Sequence, residues 1–121
     1  MMILFFLAQA VCVAVNATQF AILTQFLNET KSRTLTLNQT QCPVQASYPN
    51  ARMACDPATG NIAGLNLYLA ILSGNLSSGV LTRLTDLTYL NLSNNNLVGP
   101  VDSLTRLSAL TALDVSYNAF T

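Results

Sequence analysis

Few residues of this chain could carry acid–base or nucleophilic chemistry. The sequence has no histidine, so it lacks the commonest general base and a frequent metal ligand. Without histidine, no Ser/His/Asp or Cys/His set can be assembled, and a site built from carboxylates would need the fold to bring two of them together. We therefore expect no enzyme, no metal site and no cofactor. The five carboxylates are scattered along the chain, at Glu29, Asp56, Asp86, Asp102 and Asp114.

Charge and composition exclude two classes of partner. Five basic and five acidic residues cancel among 121 residues, which leaves no basic surface for a nucleic acid or an acidic membrane. Hydrophobic residues make up 51% of the chain and charged residues only 8%. This balance indicates one small domain with a buried core, or a membrane-directed chain, and not a disordered one.

The N-terminal stretch is predicted to be a targeting segment. The first charge in the chain is Glu29, and the residues from Met1 to Val15 are apolar except for Gln9. This pattern predicts a secretory signal peptide over residues 1–17, cleaved after Ala17. An uncleaved signal anchor is the alternative, although polar residues interrupt the apolar run too often for a good membrane span.

Cleavage after Ala17 would remove one of the three cysteines, Cys12, and leave an even number. In a secreted chain this predicts a disulfide between Cys42 and Cys55, which closes a loop of 14 residues. The loop-entropy relation gives such a bond about 3 kcal/mol of stabilisation. Two unpaired buried thiols are the alternative, and would fit a cytosolic protein.

Asn-x-Ser/Thr sequons support export. One of them, at Asn16, would be lost with the signal peptide. Together with the signal peptide and the cysteine pair, the sequons predict a secreted or cell-surface protein. The four predicted glycosylation sites are Asn28, Asn38, Asn75 and Asn91.

The second half of the chain is organised by leucines whose spacing changes within each unit. Leucines step by three from Leu81 to Leu90 and then by two to Leu92, and a similar phrase recurs over residues 104–120. A step of three suits a 3₁₀ or loose helical segment, whereas a step of two suits a short strand. Three strand cores align at spacings of 25 and 23 residues: Leu65–Leu67, Leu90–Leu92 and Leu113–Val115.

These units resemble the leucine-rich repeat, specifically that of plant-type, receptor-like extracellular proteins. The resemblance implies an α/β solenoid, a right-handed coil with short parallel strands behind an N-terminal cap that contains a helix and a disulfide. It assigns residues 18–64 to the cap and residues 65–121 to about 2.5 repeats with an open C-terminal end. The signature proline is replaced by Ser77 and Asp102, which removes part of the support for a second, outer strand.

The cap helix is predicted to begin at Thr18, which can act as its N-cap. Apolar residues follow at helical spacing, and the segment Ala21–Phe26 resembles the family's Ala-Leu-Leu-x-Phe element. The resemblance implies that this helix covers the hydrophobic end of the first repeat. An interfacial membrane helix is the alternative, but the polar face lacks basic residues.

The resemblance also implies roles for the polar residues of the repeats. Asn95 and Asn118 occupy the position whose side chain hydrogen-bonds the backbone of adjacent turns, and the first unit has Ala70 there. Residues that alternate with the buried leucines would form a concave binding face. Its candidate ligand-binding residues are Tyr68, Tyr89, Asn91, Ser93, Asn94, Asp114, Ser116 and Tyr117.

The expected function is non-catalytic recognition, with a protein, peptide or glycan ligand on the concave face. The abrupt stop at Thr121 indicates a piece of a longer receptor-like protein, and a membrane contact would require a span beyond that residue. The alternative function is that of a structural protein of a cell wall or extracellular matrix, in which glycosylation and repeat stacking matter more than a specific ligand.

Overall fold

A computed structural model describes residues 12–32, 35, 37–44, 52–76 and 79–121. Residues 1–11, which hold most of the predicted signal peptide, lie outside the described part. In chain order the described strands are β1 (Cys12–Val13), β2 (Cys42–Pro43), β3 (Met53–Cys55), β4 (Ile62–Asn66), β5 (Ser73–Asn75), β6 (Tyr89–Asn91), β7 (Asn96–Gly99), β8 (Ala112–Asp114) and β9 (Ala119–Phe120).

The main sheet has the order β3-β4-β6-β8 within the described residues. Strands β4, β6 and β8 are parallel, and β3 joins the edge of β4 antiparallel. Leu65 pairs with Leu90, and Leu90 pairs with Leu113, so the predicted alignment of the strand cores is confirmed. Side chains alternate between the two faces of a strand, and this register therefore stacks the leucines in one column.

A second parallel sheet, the outer sheet, has the order β5-β7-β9 in the described part of the chain. It forms even though the signature proline is absent. Two 3₁₀ helices, Val80–Arg83 and Asp102–Arg106, follow β5 and β7 and lead back to the main sheet. The leucine step of three follows the first helix and the turns after it, because the Leu84 N–H donates to Leu81 O at 3.0 Å and the Leu87 N–H to Leu84 O at 3.2 Å.

The hydrophobic core lies between the two sheets and the 3₁₀ helices. Because one turn cannot bury its own apolar side, the leucines of successive turns cover one another. Leu65 and Leu90 are fully buried in the leucine column, whereas Leu113, in the last turn, is 47% exposed. The fully buried leucines of the repeats are Leu65, Leu67, Leu72, Leu84, Leu87, Leu90, Leu92 and Leu97.

The helix α1 spans Ala17–Glu29 and packs against the 3₁₀ helix Val80–Arg83 of the first repeat. The prediction that Thr18 is its N-cap is wrong, because the N-cap lies two residues earlier in the chain. The N-cap is Asn16, whose side-chain oxygen accepts a hydrogen bond from the Gln19 N–H at 3.2 Å. The helix therefore depends on a residue that the predicted signal cleavage would remove.

The two sulfurs of Cys42 and Cys55 are bonded, as predicted, and the Cα atoms lie 5.9 Å apart. The bond joins β2 to the end of β3, and both residues are buried. It ties β2 to the edge strand of the main sheet. Cys12 is a free, exposed thiol.

A buried glutamine joins the helix to the main sheet. The Gln19 side-chain oxygen accepts a hydrogen bond from the backbone N–H of Ile62, the first residue of β4, at 2.6 Å. Gln19 is almost fully buried and Ile62 is fully buried, so water cannot replace this acceptor without opening the cap.

Replacing Gln19 by alanine is expected to lower the free energy of unfolding by about 1–3 kcal/mol, because it leaves the buried Ile62 N–H without its side-chain acceptor. Gln25→Ala, in the exposed face of the same helix, is the matched control and is expected to change it by about 0.5 kcal/mol or less. Urea unfolding of both variants measures the difference. Equal values would show that the Gln19 contact does not stabilise the fold.

Candidate binding face

One face of the main sheet points away from the leucine column, and we call it the solvent face. It is formed by the residues that alternate with the buried leucines. Asn66, Asn91 and Asp114 stand side by side across it, because Asn66 pairs with Asn91 and Asn91 pairs with Asp114. The parallel register thus produces a polar row from residues that are far apart in sequence. The solvent face comprises Gly64, Asn66, Tyr68, Tyr89, Asn91, Ala112, Asp114 and Ser116.

The polar row is held in place by a local turn that recurs at the end of each strand. The side-chain oxygen of Asn91 accepts the Ser93 N–H at 2.9 Å, and that of Asp114 accepts the Ser116 N–H at 3.0 Å. Asn and Asp favour this conformation because their short side chains reach the backbone two residues ahead. The row is therefore organised before any ligand binds.

Asp114 is the carboxylate of the row. Hydrogen bonds from the Ser116 hydroxyl and then from the Ser116 N–H lower the pKa of Asp114 below its ordinary value of 3.8. The folded state therefore favours the ionised form. This contribution is complete at neutral pH and is lost as the pH falls through the lowered pKa. Asp114 is exposed, so the solvent face carries a fixed negative charge at neutral pH.

Tyr89 lies against the backbone of its neighbouring strand. Gly64 pairs with Tyr89, and a Cβ atom at Gly64 would lie 3.9 Å from Cδ2 of the tyrosine ring. The ring therefore packs at van der Waals distance over Gly64. The hydroxyl of Tyr89 accepts a hydrogen bond from the Asn91 side-chain amide at 3.4 Å. Both side chains are half-buried.

One predicted contact residue does not reach the solvent face. Ser93 is only 3% exposed, because it lies in the middle turn, between the first turn, whose Leu69 N–H donates to its carbonyl oxygen, and the last turn. Its hydroxyl donates to the side-chain oxygen of Asn91 at 2.6 Å, and Ser116 makes the same contact with Asp114 but is exposed. Burial therefore separates Ser93 from the other candidates, whereas Tyr68, Asp114 and Ser116 are exposed.

Asn94 and Tyr117 lie at the corners that follow β6 and β8. Both adopt left-handed backbone, with φ of 58° and 55°, and Leu69 occupies the same place after β4 with φ of 50°. The backbone N–H of each corner residue donates to the next turn. The Leu69 N–H donates to Ser93 O at 3.3 Å, and the Asn94 N–H donates to Ser116 O at 3.0 Å. Asparagine tolerates this backbone well, whereas leucine and tyrosine do not.

Exchanging the residues at these corners is expected to change stability in opposite directions. Leu69→Asn should raise the free energy of unfolding by about 0.5–1 kcal/mol, because it relieves left-handed strain at a half-exposed position. Asn94→Leu should lower the free energy of unfolding by about 1 kcal/mol, because it introduces the strain that Leu69→Asn relieves. Chemical denaturation of both variants gives the comparison. Destabilisation by both substitutions would show that the left-handed backbone does not determine the preference for asparagine at these corners.

A groove beside the corners was not predicted from the sequence. It has a volume of about 620 Å³ and is lined in part by Leu69, Ile71, Asn94 and Lys31. Ile71 is 67% exposed and adopts φ of 58°, which is unusual for a β-branched residue. The signal in the sequence was the apolar run after β4, where the later repeats carry polar residues. Asn94 therefore belongs to this groove and not to the solvent face.

Asn95 joins two successive turns. Its side-chain nitrogen donates to the carbonyl oxygens of Leu67 at 2.8 Å and Leu92 at 2.9 Å. Its side-chain oxygen accepts the N–H groups of Ala70 at 3.1 Å and Leu72 at 3.0 Å. One side chain thus satisfies backbone groups left bare where strand becomes loop.

Asn118 repeats this arrangement one turn later. Its side-chain nitrogen donates to Leu92 O at 2.8 Å, and its oxygen accepts the Leu97 N–H at 3.1 Å. Both asparagines therefore act within the solenoid and are not available to a ligand.

The four predicted glycosylation sites differ in their surroundings. Asn28 and Asn38 are exposed, the first in the last turn of α1. Asn75 is also exposed, and its side chain lies where a Cβ of Gly99 would be, so Gly99 accommodates it. The half-buried Asn91 is held by Ser93 on the solvent face, where a glycan would cover the polar row.

Metal binding and membrane insertion find no support among the described residues. In this part of the chain, no group of three or more histidine, cysteine or acidic side chains is placed to hold a metal ion. Within the same ranges, no helix combines the length and apolar character needed to cross a bilayer.

Comparison with known proteins relates this architecture to receptor ectodomains. No family model matches the sequence. An Arabidopsis thaliana protein named "probably inactive leucine-rich repeat receptor-like protein kinase" is 36% identical over 64 residues, which cover 53% of this chain and 6% of that protein.

Several solved structures share the fold. The ectodomain of the receptor kinase SOBIR1 from Arabidopsis thaliana has a TM-score of 0.63 at 22% identity, covering 89% of this chain and 58% of that one. The structure of PEPR1 with AtPEP1 has a TM-score of 0.64 at 26% identity, and the match covers 87% of this chain and 15% of that one. The ectodomain of the Arabidopsis receptor kinase HAESA, with an IDA peptide hormone ligand, has a TM-score of 0.61 at 24% identity, covering 85% and 17%. In each case this chain spans less than two thirds of the protein it matches.

The described residues thus form a leucine-rich repeat solenoid. The resemblance to the plant-type, receptor-like extracellular subclass, predicted from the repeat phrases, is confirmed by these relatives. Two of the structures that share the fold are ectodomains of receptor kinases.

Proposed function

We propose that this chain is a non-catalytic recognition module that binds a peptide or protein ligand outside the cell through the solvent face of its main sheet. The observation that carries the proposal is the polar row, because Asn66, Asn91 and Asp114 are fixed by contacts within their own turns. A row that is already ordered loses little conformational entropy when a ligand binds. Peptide ligands are named for two similar structures, PEPR1 and HAESA, which favours a peptide over a glycan.

The side chains of the solvent face favour a ligand with a basic and an apolar or aromatic group. Asp114 supplies an exposed carboxylate that can pair with a lysine or arginine. Tyr68, which is 43% exposed, supplies an aromatic surface at the other side of the row. The side-chain amides of Asn66 and Asn91, which lie between Tyr68 and Asp114, can hydrogen-bond the backbone of an extended peptide.

The proposal is tested by selecting binders for the secreted protein from a random peptide display library and measuring their affinity. Tyr68→Ala and Asp114→Asn are expected to weaken the selected peptides by tenfold or more, which is about 1.4 kcal/mol. The control is Ser108→Ala, an exposed position between the second 3₁₀ helix and β8. Peptides that bind both solvent-face variants as tightly as the control would contradict the proposal, and a failure to select any would favour the structural wall protein.

Three finer features of the fold are part of the same proposal. Parallel strands joined by crossovers are almost always connected with right-handed geometry, which supports a right-handed coil. The packing of α1 on the first repeat supports an N-terminal cap that ends near residue 64, with repeats from residue 65 onward. The exposure of Asn28 and Asn38 favours these two sequons for glycan attachment.

A further inference from the structure

We propose that residues 12–17 remain in the mature protein, and that signal processing does not cleave the bond after Ala17. The inference is independent of the proposed ligand. It rests on the contacts that this short segment, which we call the N-terminal strap, makes with the cap.

The strap begins with a strand. Its residues Cys12 and Val13 form β1, which pairs antiparallel with β2; Cys12 is opposite Pro43 and Val13 is opposite Cys42. Cys42 is one half of the disulfide, so the strap lies beside the covalent link of the cap. Without the strap, β2 would lose its only strand partner in the described part of the chain.

The centre of the strap contributes to the hydrophobic core. Val15 is only 5% exposed and belongs to the same buried cluster as Leu23 and Phe26 of α1. Its N–H donates to the carbonyl oxygen of Gln39 at 2.8 Å. A signal peptide is discarded after export, and the fold of the mature protein cannot depend on it, so a buried side chain with a paired amide indicates retained chain.

The end of the strap fixes the start of α1. The N–H of Asn16 donates to Gly60 O at 2.8 Å, while its carbonyl oxygen accepts the Phe20 N–H at 2.9 Å and its side chain caps the helix. Gly60 adopts φ of 72°, and a Cβ atom there would meet Ala14 O and lie 3.2 Å from Asn16 N. The strap and the Gly60 turn are therefore closely fitted to one another.

Cleavage after Ala17 would remove all of these contacts. It would also create an α-ammonium group on Thr18 at the positive end of the α1 dipole, where a positive charge is unfavourable. The helix would begin without a cap, and its amides would lose the acceptor that Asn16 provides.

A mature chain that keeps the strap also keeps Cys12. It therefore carries three cysteines, whereas cleavage after Ala17 would leave two.

Mass spectrometry of the full chain secreted from a eukaryotic cell tests the inference. The expected N-terminal residue lies at or before Cys12, and reduction followed by alkylation should modify three cysteines. A chain that begins at Val15 or Thr18 would have two alkylated cysteines and would overturn the proposal.

A substitution at the bond that the proposal excludes gives a second test. Ala17→Leu, at the exposed first residue of α1, should leave the N-terminus of the secreted protein unchanged. A shifted N-terminus in this variant would place the cleaved bond after Ala17 and overturn the proposal.

The structural half of the inference is tested with an unrelated leader fused before Val11 or before Thr18. The form that begins at Thr18 is expected to melt at least about 10 °C lower, because it lacks β1, the buried Val15 and the helix cap. Equal melting temperatures would overturn the role of the strap. A form that fails to be secreted at all, beside normal secretion of the longer one, would support it.

Discussion

Replacing Asn95 by alanine is expected to lower the free energy of unfolding by about 3 kcal/mol, and the melting temperature by at least about 10 °C. The substitution removes both the donor and the acceptor that link the second turn to the first. The backbone groups it leaves unpaired lie at the rim of the core, where water reaches them poorly. Calorimetry of the purified protein measures both quantities.

Two further variants separate the amide from its surroundings. Asn96→Ala, at the exposed neighbouring residue, should change the free energy of unfolding by about 0.5 kcal/mol or less. Asn95→Asp keeps the acceptor for the amides of Ala70 and Leu72 but loses the donors, so its effect should be intermediate. If Asn95→Ala and Asn96→Ala destabilised the protein equally, the linking role of Asn95 would be refuted.

Removing the disulfide by the double substitution Cys42→Ser and Cys55→Ser should cost about 3 kcal/mol. The bond closes a loop of 14 residues, and its loss gives the unfolded chain more conformational freedom. Both positions are buried, and the serine hydroxyls would add a desolvation penalty.

Cys12→Ser provides the control for this experiment. Cys12 is exposed and unpaired, so its substitution should leave the urea midpoint nearly unchanged. Treatment of the unsubstituted protein with a reductant should reproduce the loss seen in the double variant. A double variant as stable as Cys12→Ser would mean that the bond contributes nothing to the cap.

The spacing of leucines was sufficient to predict the repeats. Leucines that step by two must share one face of a strand, and the same step in three units could only be buried by stacking them. The pairing of Leu65 with Leu90 and of Leu90 with Leu113 follows directly from this pattern. Local spacing determines such features, and a single sequence is enough to reveal them.

The strap could not be predicted in this way. Cys12, Val13 and Val15 are apolar like the signal core before them, and composition does not distinguish a discarded residue from a buried one. Only the contacts with β2, Gln39 and Gly60 reveal the difference. The cap of Asn16 was missed for the same reason, since Thr18 is an equally good candidate in sequence.

The burial of Ser93 was a second feature beyond the reach of the sequence. Alternation along the strand places it beside Asn91 and Asp114 and suggests a surface position. The chain leaves the strand after Asn91, and Ser93 is then buried between the neighbouring turns, whereas Ser116 makes the same side-chain contact in the last turn and is exposed. Strand alternation ceases to apply where the strand ends.

The side chain of Asn95 completes the backbone of the turn before its own, and so does that of Asn118. The amides of Ala70 and Leu72 acquire their acceptor from Asn95, and the amide of Leu97 acquires its acceptor from Asn118. The hydrogen bonds between neighbouring turns are therefore directional, because each turn receives its side-chain acceptors from the turn that follows it. Resistance of the Ala70 and Leu72 amides to hydrogen exchange reports the integrity of the second turn, and a chain emerging from the ribosome secures each turn only when the next has been made.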